Sequence, residues 1–326
     1  MVRSEGGEHQ MVLKRYRDAR DFLAVARQPL ELNEAANSLI VGVAARVAED
    51  PDHYKSTPYF ATVTGDRGMV AAAVRTPPFR AIVYSAQGAD PRPLNLILDD
   101  LIAFTAETAG DGTAGSIAGV TGHSDTALAF ARCWSERTGR AFTRVMNERI
   151  YELRQVSPPA DVPGHLRPAR DEELDLLAGW IEGFCRDAGV STGMSAGPKA
   201  VARRYLDGGG VFFWEHEGQP VAMAARSRNS SRGIAVSLVY TPPQLRGRGY
   251  ASACVAALSQ QLLDAGWEFC TLYTDLANPT SNSIYQRIGY RPVCDADEYD
   301  FEGWYRGQQV RDLPGILAGR EEDASP

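Results

Sequence analysis

The chain contains no C-x-x-C pair, no long apolar run and almost no lysine. Its five cysteines (Cys133, Cys185, Cys254, Cys270 and Cys294) are odd in number and scattered. That argues against a disulfide frame or a zinc site and for reduced, mostly buried thiols. The five histidines, at positions 9, 53, 123, 165 and 216, show no ligand spacing, so no metal is expected. No segment approaches the roughly 18 uninterrupted apolar residues of a membrane span, and the N-terminus has no signal-peptide core. A cytoplasmic protein with no membrane partner is therefore expected. A net charge of −7 offers no basic surface for phosphate backbones, which disfavours a nucleic-acid partner. Lysine is confined to Lys14, Lys55 and Lys199, a bias of residue usage that by itself excludes no function.

What is present is an ordinary globular composition, 44% apolar and 23% charged, over 326 residues. That length exceeds what one hydrophobic core usually organises, so two domains are expected. Proline and glycine concentrate in Ser157-Pro-Pro-Ala-Asp-Val-Pro-Gly-His165, which marks a linker. The boundaries read as a loose N-terminus (1–10), a first domain (11–155), a linker (156–165), a second domain (166–310) and a polar tail (311–326).

Each half repeats one coarse α/β pattern. In the second, Glu172 to Asp187 has an amphipathic helical stripe. Val211 to His216 and Pro220 to Ala225 are strands joined by a Glu217-Gly218 turn, and Ile234 to Tyr240 is a third strand. A Gly/Arg loop, a helix to Ala265 and a strand from Phe269 to Thr274 follow, then a helix from Thr280 to Ile288 and strands within Arg291 to Glu302. The first half matches: a hairpin (Tyr59 to Val63, Val70 to Val74), a strand (Ala81 to Tyr84) and a helix (Leu94 to Glu107). A strand (Ser116 to Val120), a helix (Thr126 to Thr138) and a strand (Phe142 to Leu153) complete it. Landmarks recur roughly 150 to 156 positions apart, far beyond a solenoid period, which reads as a duplicated domain.

The sharpest local feature is Val239-Tyr-Thr-Pro-Pro-Gln244-Leu-Arg-Gly247-Arg-Gly249-Tyr-Ala251. A strand ends, glycines follow and a helix opens at once, so free N–H groups and the positive end of a helix dipole converge, which suits a phosphate. Gly247 and Gly249 let the backbone approach an anion, while Arg246 and Arg248 add charge and forked donors. A dinucleotide fingerprint fails because Ser252 takes its last position, and no Gly-Lys-Ser/Thr follows for a triphosphate loop.

Gln244-x-x-Gly247-x-Gly249 resembles the pyrophosphate loop of the GNAT acetyltransferase superfamily. The stretch from Asn278 through Ser281 and Tyr285 to Gly289-Tyr290 resembles that family's second conserved segment. The resemblance covers Leu166 to Glu302 and implies two tandem GNAT folds, with a mixed sheet, acetyl-CoA as acyl donor, no metal, and direct transfer to a primary amine of a small molecule or peptide. It further implies that the backbone of Leu238, Val239, Tyr240 and Thr241 pairs with the pantetheine arm. The loop from Gln244 and Leu245 through Tyr250 to Ala251 would hold the pyrophosphate, with Asn278 and Ser281 near the cofactor arm. Tyr285 matches the tyrosine near the thioester sulfur, where a phenol can act as general acid. Tyr285 as a core aromatic and Asn278 as a helix cap are the plainer readings beside these. Asp275, Glu215 and Glu268 are candidate bases by proximity in sequence alone.

The corresponding loop of the first half, Tyr84-Ser-Ala-Gln-Gly88-Ala-Asp90-Pro91-Arg-Pro93, lacks the paired glycines. Two prolines remove N–H donors and Asp90 brings negative charge, while Phe130 stands near the place of Tyr285. The first half therefore reads as a degenerate copy that covers the second, giving a monomer with an internal pseudo-dimer. Two alternatives stay open: a non-catalytic acyl-CoA sensor, and a mycothiol-synthase-like tandem enzyme.

Overall fold

The computed structural model describes residues 11–302 apart from 55, 109–116 and 190–196. The expectations for residues 1–10, for Ser116 and for the tail from 303 onward lie outside the described residues. Twelve strands form one continuous sheet. The first half contributes β1 (Val12–Tyr16), β2 (Tyr59–Gly65), β3 (Gly68–Arg75), β4 (Ala81–Ser85), β5 (Gly119–His123) and β6 (Phe142–Leu153). The second contributes β7 (His165–Pro168), β8 (Val211–His216), β9 (Gln219–Asn229), β10 (Gly233–Tyr240), β11 (Phe269–Asp275) and β12 (Arg291–Phe301).

The strand order is β1-β2-β3-β4-β5-β12-β6-β11-β10-β9-β8-β7. The sixth strand of each half is thus exchanged: β12 completes the first half beside β5, and β6 completes the second beside β11. The sequence suggested several short strands after Arg291, but the structure has one eleven-residue strand that crosses to the other half. Side chains follow the backbone. Tyr299 and Phe301 of β12 are buried in the first half's core, and the Phe301 ring stacks on Trp134 at 4.6 Å. Tyr151 and Leu153 of β6 are buried in the second half's core. At about 1.5–3 kcal/mol for each large apolar side chain buried, the exchange couples the halves strongly.

Helices cover both faces. One face carries α1 (Ala19–Glu31), α2 (Ser38–Glu49), α5 (Leu174–Ala188) and α6 (Gly197–Asp207). The other carries α3 (Pro91–Thr108), α4 (Ser124–Thr138), α7 (Tyr250–Asp264) and α8 (Pro279–Ile288). Glycines stop α4, α5 and α8 in the left-handed conformation that an L side chain resists: Gly139 at φ 68°, Gly189 at 65° and Gly289 at 112°. α2 is buried on nearly every side, because it lies between the first half's sheet and β9 of the second. A Cβ on Gly42 would come within 3.0 Å of Arg228 Cβ, so this glycine permits the approach.

The segment read as a linker is seated on the second half. The Ser157 N–H donates to the Ile288 carbonyl at 2.7 Å, and Trp214 Nε1 donates to the Pro163 carbonyl at 3.0 Å. Among the described residues no helix is long and apolar enough to cross a membrane.

Candidate active site

The site begins where two parallel strands part. β10 and β11 pair only from Gly233–Phe269 to Ala235–Thr271, and beyond this β10 runs on to Tyr240 and β11 to Asp275 without pairing. β10 also shifts register against β9 between Ser237 and Tyr240, with Leu238 at φ 49° inside the irregularity. Positive φ is strained for a side chain of this size, and strained strand positions cluster at sites that re-aim the backbone toward a ligand. Leu238 and Tyr240 point into the core formed with α5 and α6, so the backbone between them is the feature turned to the opening.

Polar groups at the opening lack partners. The buried hydroxyls of Ser237, Thr241 and Thr271 make no hydrogen bond. An unsatisfied buried hydroxyl costs roughly 1–3 kcal/mol. Ser237 and Thr241 border the opening, where a ligand that carries amide and carbonyl groups would satisfy them, while Thr271 holds the last paired position, opposite Ala235.

The loop that follows turns through Gly247 at φ 77° and Gly249 at φ 80° before α7 starts at Tyr250. At Gly247 conformation alone demands glycine. At Gly249 a Cβ would also stand 2.9 Å from Val162 Cγ2. Gly249 supplies no side-chain cap, and no backbone acceptor among the described residues takes the amides from Gly247 to Ser252. Gln244 and Arg248 are exposed beside them, with Leu245 and Ala251 half-buried. Arg246 is already engaged: its Nε donates to the Thr241 carbonyl at 2.9 Å and its guanidinium pairs with Asp187. Of the two arginines expected at the anion, Arg248 is therefore the one with no partner among the described residues.

Tyr285 lies on α8, buried, with its ring edge-on to Tyr290 at 6.0 Å. Burial pushes its phenol well above the ordinary tyrosine range, so it holds its proton at neutral pH. Asn278 caps α8, with Oδ1 accepting the Ser281 N–H at 3.0 Å, which leaves its Nδ2 donors unused by the described residues. The exchanged strand fixes this helix: Tyr151 donates to Asn282 Oδ1 at 2.9 Å and accepts from Gln286 Nε2 at 3.0 Å.

The candidate bases fare unequally. Glu215 is bound to Arg167, which holds its carboxyl below the usual range, and Glu268 sits 3.5 Å from Arg232. Asp275 accepts the Ala277 N–H at 2.8 Å, as a turn carboxylate does. The sequence reading missed Glu148. It lies on β6 of the first half, opposite Asp275 at the end of β11, and has no hydrogen bond or ion pair among the described residues. Burial, then the charge of Glu298, raises its carboxyl from 4.5 to about 7, against opposing pulls from Arg228 and Arg80. Nothing in the local sequence signals this, because the strand exchange places it. Cys254 and Cys270 are core thiols pushed up to about 12 by burial, and so are poor nucleophiles. Among the described residues no group of side chains could hold a metal ion.

The first half shares the parted strand pair but differs in what surrounds it. β4 and β5 also part after three pairs, but β4 pairs with β3 without irregularity. α3 starts at Pro91, which has no N–H, as Pro93 has none, and the Asp90 carboxylate accepts the Arg92 N–H between them at 2.9 Å. A built-in carboxylate thus occupies that helix terminus. Phe130, counted from its helix cap as Tyr285 is from Asn278, is fully buried.

Residues 215–299 match the family model for FR47-like protein. No curated protein matches the chain in sequence. Among solved structures, a GNAT-family acetyltransferase from Colwellia psychrerythraea is 11% identical, with a TM-score of 0.53 over 89% of this chain and 100% of its own. A GCN5-related N-acetyltransferase from Sphaerobacter thermophilus gives 13% and 0.55 over 89% and 95%. A Drosophila protein gives 14% and 0.60 over 89% and 98%. The chain has the fold of the GNAT superfamily, with its FR47-like segment in the half that carries the open strand pair and the bare helix terminus.

Proposed function

We propose that the protein is an N-acetyltransferase that moves an acetyl group from acetyl-CoA to a primary amine, with its cofactor site in the second half. One observation carries this reading: the end of β10 where it parts from β11, the unpartnered hydroxyls of Ser237 and Thr241 and the bare N-terminus of α7 lie in one continuous stretch of backbone, 237–250. Bound there, acetyl-CoA would supply an activated acyl thioester. Residues Leu238 to Thr241 offer backbone to the pantetheine arm. The amides from Leu245 to Tyr250, with Arg248, offer donors to the pyrophosphate.

Tyr285 keeps its proton at neutral pH and is suited to protonate the departing sulfur. Glu148, held near 7, is suited to take the proton that the attacking amine loses. With no reactive thiol nearby, transfer is direct: the amine nitrogen bonds to the acyl carbon as the carbon–sulfur bond breaks. The first half supplies β6, and with it Glu148 and Tyr151, while its own helix terminus is closed by Asp90. We read the exchanged halves as an internal dimer within a cytoplasmic monomer.

The test is release of free CoA thiol from acetyl-CoA with an amine panel. Amine-dependent release supports the reading. Cofactor binding with no release by any amine leaves a sensor module instead.

A further inference from the structure

On the face that carries α2 and α6, the two halves enclose a cavity of about 710 Å³. Five arginines line it, Arg46, Arg80, Arg204, Arg226 and Arg228, against two carboxylates, Glu298 and Asp300. Arg80 bridges both carboxylates, reaching Glu298 at 2.9 Å and Asp300 at 2.6 Å, which leaves the other four arginines to face the cavity without a carboxylate of its wall. Arg226 donates to the Gly208 carbonyl at 3.1 Å. The guanidinium groups of Arg46, Arg204 and Arg228 have no hydrogen bond or ion pair among the described residues. Three bare guanidinium groups thus share one cavity.

Arg228 is the most telling. Its Nε is buried without an acceptor, an arrangement that is costly unless a ligand supplies one. Arg46 and Arg204 lie close enough to His53 that both positive charges, after burial, lower its basicity, which places them along one wall. Glu148 does not itself line the cavity, but three charged groups of the wall, Glu298, Arg228 and Arg80, act on its carboxyl.

We propose that this cavity binds the acceptor, and that the acceptor is a small amine carrying an anionic group, a carboxylate or a phosphate. Arg46, Arg204 and Arg228 hold the anion through forked, charge-assisted donors while the amine faces Glu148. This rests on the acetyltransferase reading, but its binding component does not depend on turnover.

The experiment measures both on the full chain. Binding of O-phosphoethanolamine and glutamate is compared calorimetrically with that of ethanolamine and glutamate diamide, and thiol release is followed with the same four amines. The anion-bearing amines should bind and react with constants roughly tenfold or more tighter than their counterparts. Arg228→Gln and the exposed Arg204→Gln should each remove most of that preference while leaving acetyl-CoA affinity unchanged. Equal binding of the matched pairs, absence of binding by either anionic amine, or variants without effect would overturn the proposal. Preferential binding without thiol release supports the cavity and removes the transfer reading. Release that ignores the acidic group does the reverse.

Discussion

Glu148 and Ala296 lie opposite each other in β6 and β12, and each also faces the end of a strand that parts from its neighbour. Glu148 faces Asp275 at the end of β11, and Ala296 faces His123 at the end of β5. The two positions are equivalents in a doubled fold. Only one of the two openings has a carboxylate there.

Glu148→Gln is predicted to lower kcat/KM by about 10²–10⁴-fold and to abolish a rise of rate with pH centred near 7. Burial raises this carboxyl most, and the charges of Glu298 and Asp275 add to it against Arg228 and Arg80. A pH–rate profile that keeps its limb near 7 in the variant contradicts the assignment.

The same substitution has a stability consequence of opposite sense. The folded chain holds the Glu148 proton more tightly than the unfolded one, so this carboxyl weakens the fold as pH rises from 4.5 to about 7. Above that range the penalty is on the order of 3 kcal/mol. Urea unfolding should show Glu148→Gln more stable than wild type at pH 8 and indistinguishable at pH 4.

Tyr285→Phe removes the proton donor and leaves the ring. It should lower kcat by roughly 10²-fold or more with acetyl-CoA affinity unchanged. Tyr151→Phe leaves Tyr285 in place but cuts the ties to Asn282 and Gln286, so it should reduce kcat less and raise the temperature dependence of activity. Steady-state kinetics with direct cofactor binding separates the two.

Phe301→Ala should cost about 3–5 kcal/mol. Because Phe301 belongs to the second half and packs on Trp134 of the first, the loss should shift one shared unfolding transition. Denaturation followed by tryptophan fluorescence and by far-UV dichroism checks this, and two separated transitions in the wild type would argue against the coupling.

Local features were legible in the sequence because local chemistry determines them. The Glu217-Gly218 turn, with both residues at positive φ, and the stops at Gly139 and Gly289 fall where expected. So does the strand from Phe142 to Leu153. The loop around Gly247 and Gly249 was readable for the same reason, as was Asp90 against its flanking prolines. α2 was not, because its uninterrupted apolar run from Leu39 to Ala45 could equally be a buried strand. The exchange of β6 and β12 was not either, since pairing partners far apart in sequence leave no local trace. Glu148 and the arginine-lined cavity depend on that exchange and on the contact between halves, and so became visible only in three dimensions.

The central claim is that only the second half retains a working CoA site. Calorimetric titration of the full chain with acetyl-CoA tests it most directly, alongside Gly249→Val, which burdens a left-handed position and a 2.9 Å approach to Val162. One site per chain, lost in the variant, is the expected result. Two sites per chain, no binding by wild type, or undiminished binding by Gly249→Val would contradict it.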